Sequence, residues 1–165
     1  MPETPTIVWF RRDLRVGDNP ALIAAAANGG PVIPVFLWAP EEEDRPDGGA
    51  SRWWLHQSLA SLQKDLGRLK SRLIIRRGSA ADEIGRLLRE TGATAIFWNR
   101  RYEPQIVARD TQIKAYLKGA GVIAESFNAN LLFEPWDVKT AAATPFRVFT
   151  ALWRKCQALG EPDEP

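Results

Sequence analysis

The sequence is short of the residues from which most metal and nucleophile sites are built. Its 165 residues include one cysteine, Cys156, and one histidine, His56. A disulfide framework, a thiolate zinc site and a histidine metal cluster are therefore excluded within the chain. A Ser-His-Asp triad would need His56 as its base, and no nucleophile-elbow motif accompanies it. No apolar run approaches the roughly 20 residues of a membrane span, and Met1–Pro5 lacks a basic-then-apolar leader pattern. A cytoplasmic protein with no membrane partner is expected. Twenty-two basic against 20 acidic residues leave a net charge of +2, too even a balance to mark a nucleic-acid groove. No GxGxxG follows the first apolar run and no Walker lysine loop occurs anywhere, so the ordinary nucleotide fingerprints are missing.

What is present is a regular alternation. Apolar runs rich in β-branched and aromatic residues recur at 7–10, 32–38, 73–75, 95–98 and 122–127. Short strands separated by helical patterns point to a parallel sheet covered on both faces. Asn19-Pro20 opens a first helix and Gly29-Gly30 stops it. Ser51 opens a long one with the stripe Leu55, Leu59, Leu62, Leu66, Leu69. Ser79 is read as the cap of a third, with Asp82 at the capping-box spacing and Gly92 at its end. Pro104 starts a fourth, with Ile106, Ile113 and Leu117 on its apolar face, and a last helix is expected over 146–159. The expected fold is α/β: a doubly wound, Rossmann-like parallel sheet of five strands in the order 3-2-1-4-5, with helices on both faces.

In such a sheet the ligand crevice lies beyond the carboxyl ends of the strands, where the winding reverses. Here that means the loops after the first and fourth strands. They read Trp9-Phe10-Arg11-Arg12-Asp13-Leu14-Arg15 and Trp98-Asn99-Arg100-Arg101-Tyr102-Glu103-Pro104. Each combines an aromatic, paired arginines and a carboxylate. An arginine fork holds a carboxylate or phosphate bidentately and stacks on flat rings. The pair of loops is thus a candidate site for a planar, partly anionic molecule. The competing reading is an ion-pair network between the loops: Arg12 or Arg15 with Asp13, and Arg100 or Arg101 with Glu103. Asp110, inside the apolar stripe of the fourth helix, needs a partner, and an arginine of the first loop is expected to supply it. Trp53 lies opposite the leucine stripe and is expected outside the core. His56 is expected at the surface and Cys156 in the core of the last helix. Phe146, Phe149 and Trp153 have the spacing of one helix face.

Taken in order, these segments carry a resemblance. Trp9–Arg15 with Asp18-Asn19-Pro20-Ala21-Leu22, Gly49-Ala50-Ser51-Arg52, Trp98-Asn99 with Tyr102-Glu103-Pro104, Ala108-Arg109-Asp110 and Pro145–Thr150 resemble segments of the DNA photolyase and cryptochrome family. The resemblance covers essentially the whole chain. It implies that residues 1–160 form the amino-terminal α/β domain of a deoxyribodipyrimidine photolyase, that 161–165 begin an interdomain linker, and that a helical FAD-binding domain is absent from this chain. The intact enzyme would split cyclobutane pyrimidine dimers in light, and this fragment alone would not be catalytic. Damaged DNA would be met only through the FAD domain. A cryptochrome blue-light photoreceptor is the alternative, and an adenine-nucleotide-binding α/β module ranks below it for want of a glycine-rich loop.

The resemblance also implies an antenna chromophore, methenyltetrahydrofolate, with a deazaflavin or an empty site as alternatives. The residues it marks for cofactor binding are Arg11, Arg12, Trp38, Asp47, Arg52, Trp53, Asn99, Arg101, Glu103 and Gln105; no catalytic or metal-binding residue is expected. By motif, Asp47 and Gln105 stand where folate-binding members place pterin contacts, and Arg101 stands where deazaflavin-binding members carry an acid.

Overall fold

The computed structural model describes residues 4–160. These fall into two compact units, divided between Ala129 and Asn130. The first holds strands β1 (Thr6–Phe10), β2 (Val32–Trp38), β3 (Ile74–Arg77), β4 (Ala95–Asn99) and β5 (Ile123–Phe127), and helices α1 (Pro20–Ala27), α2 (Gly49–Arg68), α3 (Ala80–Thr91) and α4 (Pro104–Gly119). A short 3-10 helix, Pro40–Glu42, follows β2. The strands form one parallel sheet in the order β3-β2-β1-β4-β5, the expected doubly wound arrangement.

Side-chain alternation in β1 decides which helices cover which face. Ile7 and Trp9 point into a core with Ile84 and Leu87 of α3 and Ile113 and Leu117 of α4. Val8 and Phe10 point the other way, against Ala21 and Ala25 of α1 and Leu62 and Leu66 of α2. Every residue of β1 and β4 is buried. That follows from their central places, flanked by strands on both sides and helices on both faces. The edge strands are half covered, leaving Ile75 and Ile123 exposed.

Several local expectations change in the folded chain. β3 runs from Ile74 to Arg77, later than the apolar run, because backbone pairing to β2 carries it through Arg76 and Arg77. α2 begins at Gly49, two residues before Ser51. Of its leucine stripe only Leu62 and Leu66 are fully buried, and Leu69 lies past the helix end and is exposed. Ser79 makes no side-chain cap at α3. The Ala80 amide instead donates to Glu42 Oε1 at 2.8 Å, so a carboxylate from the loop after β2 caps that helix. Gly92 ends α3 in a left-handed conformation (φ 67°), with its amide donating to the Leu88 carbonyl, as glycine permits.

In the second unit α5 spans Phe149–Leu159. Phe146 precedes it, so helical spacing relates Phe149 only to Trp153; those two rings stack at 6.4 Å between centroids. Cys156 is half-buried rather than in a core, and His56 is exposed on α2, as expected. The expected linker, 161–165, lies outside the described residues.

Candidate functional site

β1 delivers Arg11 into the interior. One residue past the strand, its side chain lies on the same face as that of Trp9. Arg11 Nη1 donates to Asp110 Oδ2 on α4 at 2.6 Å, and Nη2 donates to the Asn99 carbonyl at the end of β4. Burial pulls the Arg11 pKa below the ordinary guanidinium value, and Asp110 opposes that shift. This is the partner foreseen for Asp110. Arg109 shares the same carboxylate from the neighbouring position, Nη2 to Asp110 Oδ1 at 2.8 Å.

Asn99 ties the two switch-point loops together. Its Nδ2 donates to Asp13 Oδ2 at 2.6 Å and to Asn19 Oδ1 at 2.8 Å, and its Oδ1 accepts from the Ala21 amide at 3.1 Å. Asp13 also accepts from the Arg11 amide at 2.8 Å. Asp13 therefore pairs with neither Arg12 nor Arg15: those reach Asp47 at 3.3 Å and Asp18 at 3.0 Å. Asn19 caps α1 through the Leu22 amide at 3.1 Å. One buried asparagine thus joins the ends of β1 and β4 to the start of α1.

With the space between the two turns filled by this network, the opening lies to one side, toward β2. A slot of about 50 Å³ is walled by Trp9, Arg11, Phe36, Trp38, Glu43, Arg101 and their neighbours. It adjoins an open recess of about 660 Å³ floored by Arg11, Arg12 and Asp47 and flanked by Ser51, Trp54 and Leu55 of α2. The slot has room for a few waters. The recess has the size of a small-molecule site.

Glu43, in the slot wall nearest β2, belongs to a strap of three consecutive acids, each paired with an arginine from a different element. Glu41 meets Arg77 of β3 at 3.3 Å, Glu42 meets Arg109 of α4 at 3.0 Å, and Glu43 meets Arg101 bidentately at 2.6 and 2.9 Å. Arg101 also holds Glu103 at 2.7 Å, the ion pair read from the sequence. Burial works against the Arg101 charge, but hydrogen bonds to Glu43 and Glu103 outweigh it and raise its pKa. The same hydrogen bonds hold the Glu43 and Glu103 carboxyls below the usual carboxylate range. The site therefore offers fixed guanidinium donors and ionised carboxylate acceptors beside indole and aliphatic walls.

Of the residues marked in the sequence, Arg11, Arg12, Trp38, Asp47 and Arg101 line the slot, and Arg11, Arg12 and Asp47 also line the recess. Arg52 and Trp53 are exposed on the first turns of α2, beside lining residues but outside both spaces. Asn99 lies inside the network, Glu103 braces Arg101, and Gln105 is exposed on α4. Glu43, Arg109, Trp54 and Leu55 line these spaces without having been singled out. The acidic run Glu41–Asp44 directly after the second strand was the available signal, since it starts at the carboxyl end of a strand.

A wound parallel sheet with an arginine- and indole-lined crevice at its carboxyl edge defines the class: a Rossmann-like α/β domain. Its relatives narrow this. The DNA photolyase family model matches residues 6–165, and the chain belongs to that family. It is similar to the deoxyribodipyrimidine photo-lyase of Agrobacterium fabrum, 45% identical over 98% of this chain and 33% of that protein. Cryptochrome-1 of Arabidopsis thaliana is 47% identical over 97% of this chain and 24% of its own length. The crystal structure of a class III photolyase from Agrobacterium tumefaciens superposes with a TM-score of 0.91 at 42% identity, over 98% of this chain and 33% of that one. The chain thus spans about a quarter to a third of these relatives. Among the described residues no helix is long and apolar enough to cross a membrane.

Proposed function

We propose that the joined slot and recess hold the light-harvesting chromophore of a deoxyribodipyrimidine photolyase, and that the chain is the amino-terminal domain of that cytoplasmic enzyme. In this reading a helical domain after the 161–165 linker carries FAD and meets the damaged DNA. The observation that carries the proposal is the crevice itself: the arginine-bearing turns after β1 and β4 are stitched together and both line the slot, which adjoins a recess of about 660 Å³ bordered by the first turn and α2, in a chain 45% identical to a photolyase.

The residues fit a reduced folate such as methenyltetrahydrofolate. Its ring needs a flat apolar wall, which Trp54 and Leu55 offer. The donor edge of a pterin needs a carboxylate, and Glu43 and Asp47 both line the slot. An anionic tail is favoured near Arg12 and Arg15 on the recess side. The slot alone is too small for a two-ring heterocycle, so the ring belongs in the recess with its polar edge toward the slot. When bound, the chromophore absorbs light and passes the excitation to FAD. The chain's own residues orient it and keep its polar edge away from water.

Near-ultraviolet absorption of the purified full-length protein, followed by chromophore release and mass spectrometry, tests this. A released folate supports it; a released deazaflavin corrects the chromophore; no chromophore at all removes the antenna reading. The 47% identity to a plant cryptochrome supports a second reading, a photoreceptor whose output is protein association. Light-dependent repair of dimer-containing DNA by the full-length protein separates the two.

A further inference from the structure

Each indole that walls the slot carries a cation on its face. The guanidinium carbons of Arg11 and Arg109 both lie 5.0 Å from the Trp9 ring centroid, and that of Arg77 lies 4.9 Å from Trp38. Behind Trp9, Trp98 packs at 5.7 Å with the Lys114 ammonium 5.4 Å from its own ring. Trp54, across the recess, has no cation over it among the described residues.

A cation over an indole is attracted to the electron-rich face of the neutral ring. The same cation repels the positive charge that appears when the ring loses an electron, and it does so strongly where water is scarce. Trp9 is 2% exposed, so little solvent screens that repulsion. Tryptophan is also the side chain best able to donate an electron to a photo-excited flat chromophore.

We infer that Arg109, Arg11 and Arg77 guard the bound chromophore's excited state by making Trp9 and Trp38 hard to oxidise. This rests on the reading of the crevice as a chromophore site. The step being suppressed is a one-electron transfer: an electron leaves the indole, which becomes a radical cation, and enters the excited chromophore. Its return restores both ground states and the excitation is lost as heat. Arg77 lies on the solvent side of Trp38, with 65% of its side chain exposed. It can be replaced without unpacking the core, whereas Arg109 also holds Glu42 and Asp110.

The test is the fluorescence lifetime of methenyltetrahydrofolate bound to the chain, together with transient absorption of the indole radical. Arg109→Met is expected to shorten the lifetime by about twofold or more and to raise the radical signal, and Arg77→Met, whose charge is screened by solvent, to act in the same direction by less. Arg77→Lys, which keeps the charge, is expected to stay near the parent value. Adding Trp38→Phe to Arg77→Met, or Trp9→Phe to Arg109→Met, is expected to restore it. Trp54→Phe in the parent chain is expected to lengthen it. Bound chromophore whose lifetime is unchanged in Arg77→Met and Arg109→Met overturns this inference alone, as does a shortening that the phenylalanine variants fail to restore. A chain that takes up no chromophore overturns the crevice reading and this inference with it.

Discussion

Arg11 and Asp110 are 99 positions apart in sequence and meet at 2.6 Å in the interior, with 4% and 12% of their side chains exposed. The contact joins the carboxyl end of β1 to the middle of α4, across the strand order reversal where the crevice forms. A buried pair of this kind adds little net stability over an apolar pair, but removing one partner strands the other's charge.

Asp110→Ala is therefore expected to destabilise the chain by about 3–5 kcal/mol. Urea unfolding followed by circular dichroism measures it. A cost below about 1 kcal/mol would mean that the Asn99 carbonyl and solvent already satisfy Arg11.

Asn99 gives a second, independent test of the junction. Asn99→Ala leaves Asp13, Asn19 and the Ala21 amide each short of a partner and is expected to cost about 1–3 kcal/mol. Asn99→Asp would set a second carboxylate 2.6 Å from Asp13. It is expected to be the more damaging of the two at neutral pH, and to recover relative to the parent on acidification. Stability of both variants equal to that of the parent across that range would show that Asn99 Nδ2 is dispensable.

The strap is expected to be acid-sensitive. Hydrogen bonds from Arg101 hold the folded-state pKa of Glu43 below its ordinary value, which is near 4.3 in an unfolded chain. The pair therefore stabilises the fold fully above that unfolded value and loses its contribution as the pH falls through the lower, folded one. Unfolding midpoints of the parent and Glu43→Gln should differ most at neutral pH and converge below about pH 4. A gap that stays constant through that window would assign the effect to packing instead of charge.

Trp54 and Trp53 are adjacent and both exposed, yet only Trp54 borders the recess. Trp54→Ala is expected to weaken chromophore uptake about tenfold, the scale of one lost aromatic contact, and Trp53→Ala to leave it within about twofold. Titration of methenyltetrahydrofolate, followed by absorbance, reads both. The reverse ranking would move the ring onto the outer face of α2.

Much of the scaffold was legible in the chain because it follows local rules. Asn19-Pro20 caps α1, Gly92 ends α3 in the left-handed region, and the alternation of apolar runs with helical spacing yields the strand order. Long-range hydrogen bonding was less legible. Ser79 has the right spacing for a capping box, but Glu42 reaches the Ala80 amide first, a competition that spacing along one helix cannot register. The leucine stripe of α2 likewise runs on to Leu69, but the helix ends at Arg68 and only Leu62 and Leu66 are fully covered.

The site divides in the same way. Arg11, Arg12 and Arg101 could be picked out because a wound sheet must bring the loops after β1 and β4 together. Side-chain identity and strand periodicity alone determined that much, since both act through neighbours in sequence. Only the tertiary structure decided that Asn99 fills the gap between those loops, that the opening therefore shifts toward β2, and that Glu43 closes its wall through Arg101. Those outcomes depend on which of several nearby donors and acceptors come within bonding distance, and that is set by packing between segments far apart in the chain.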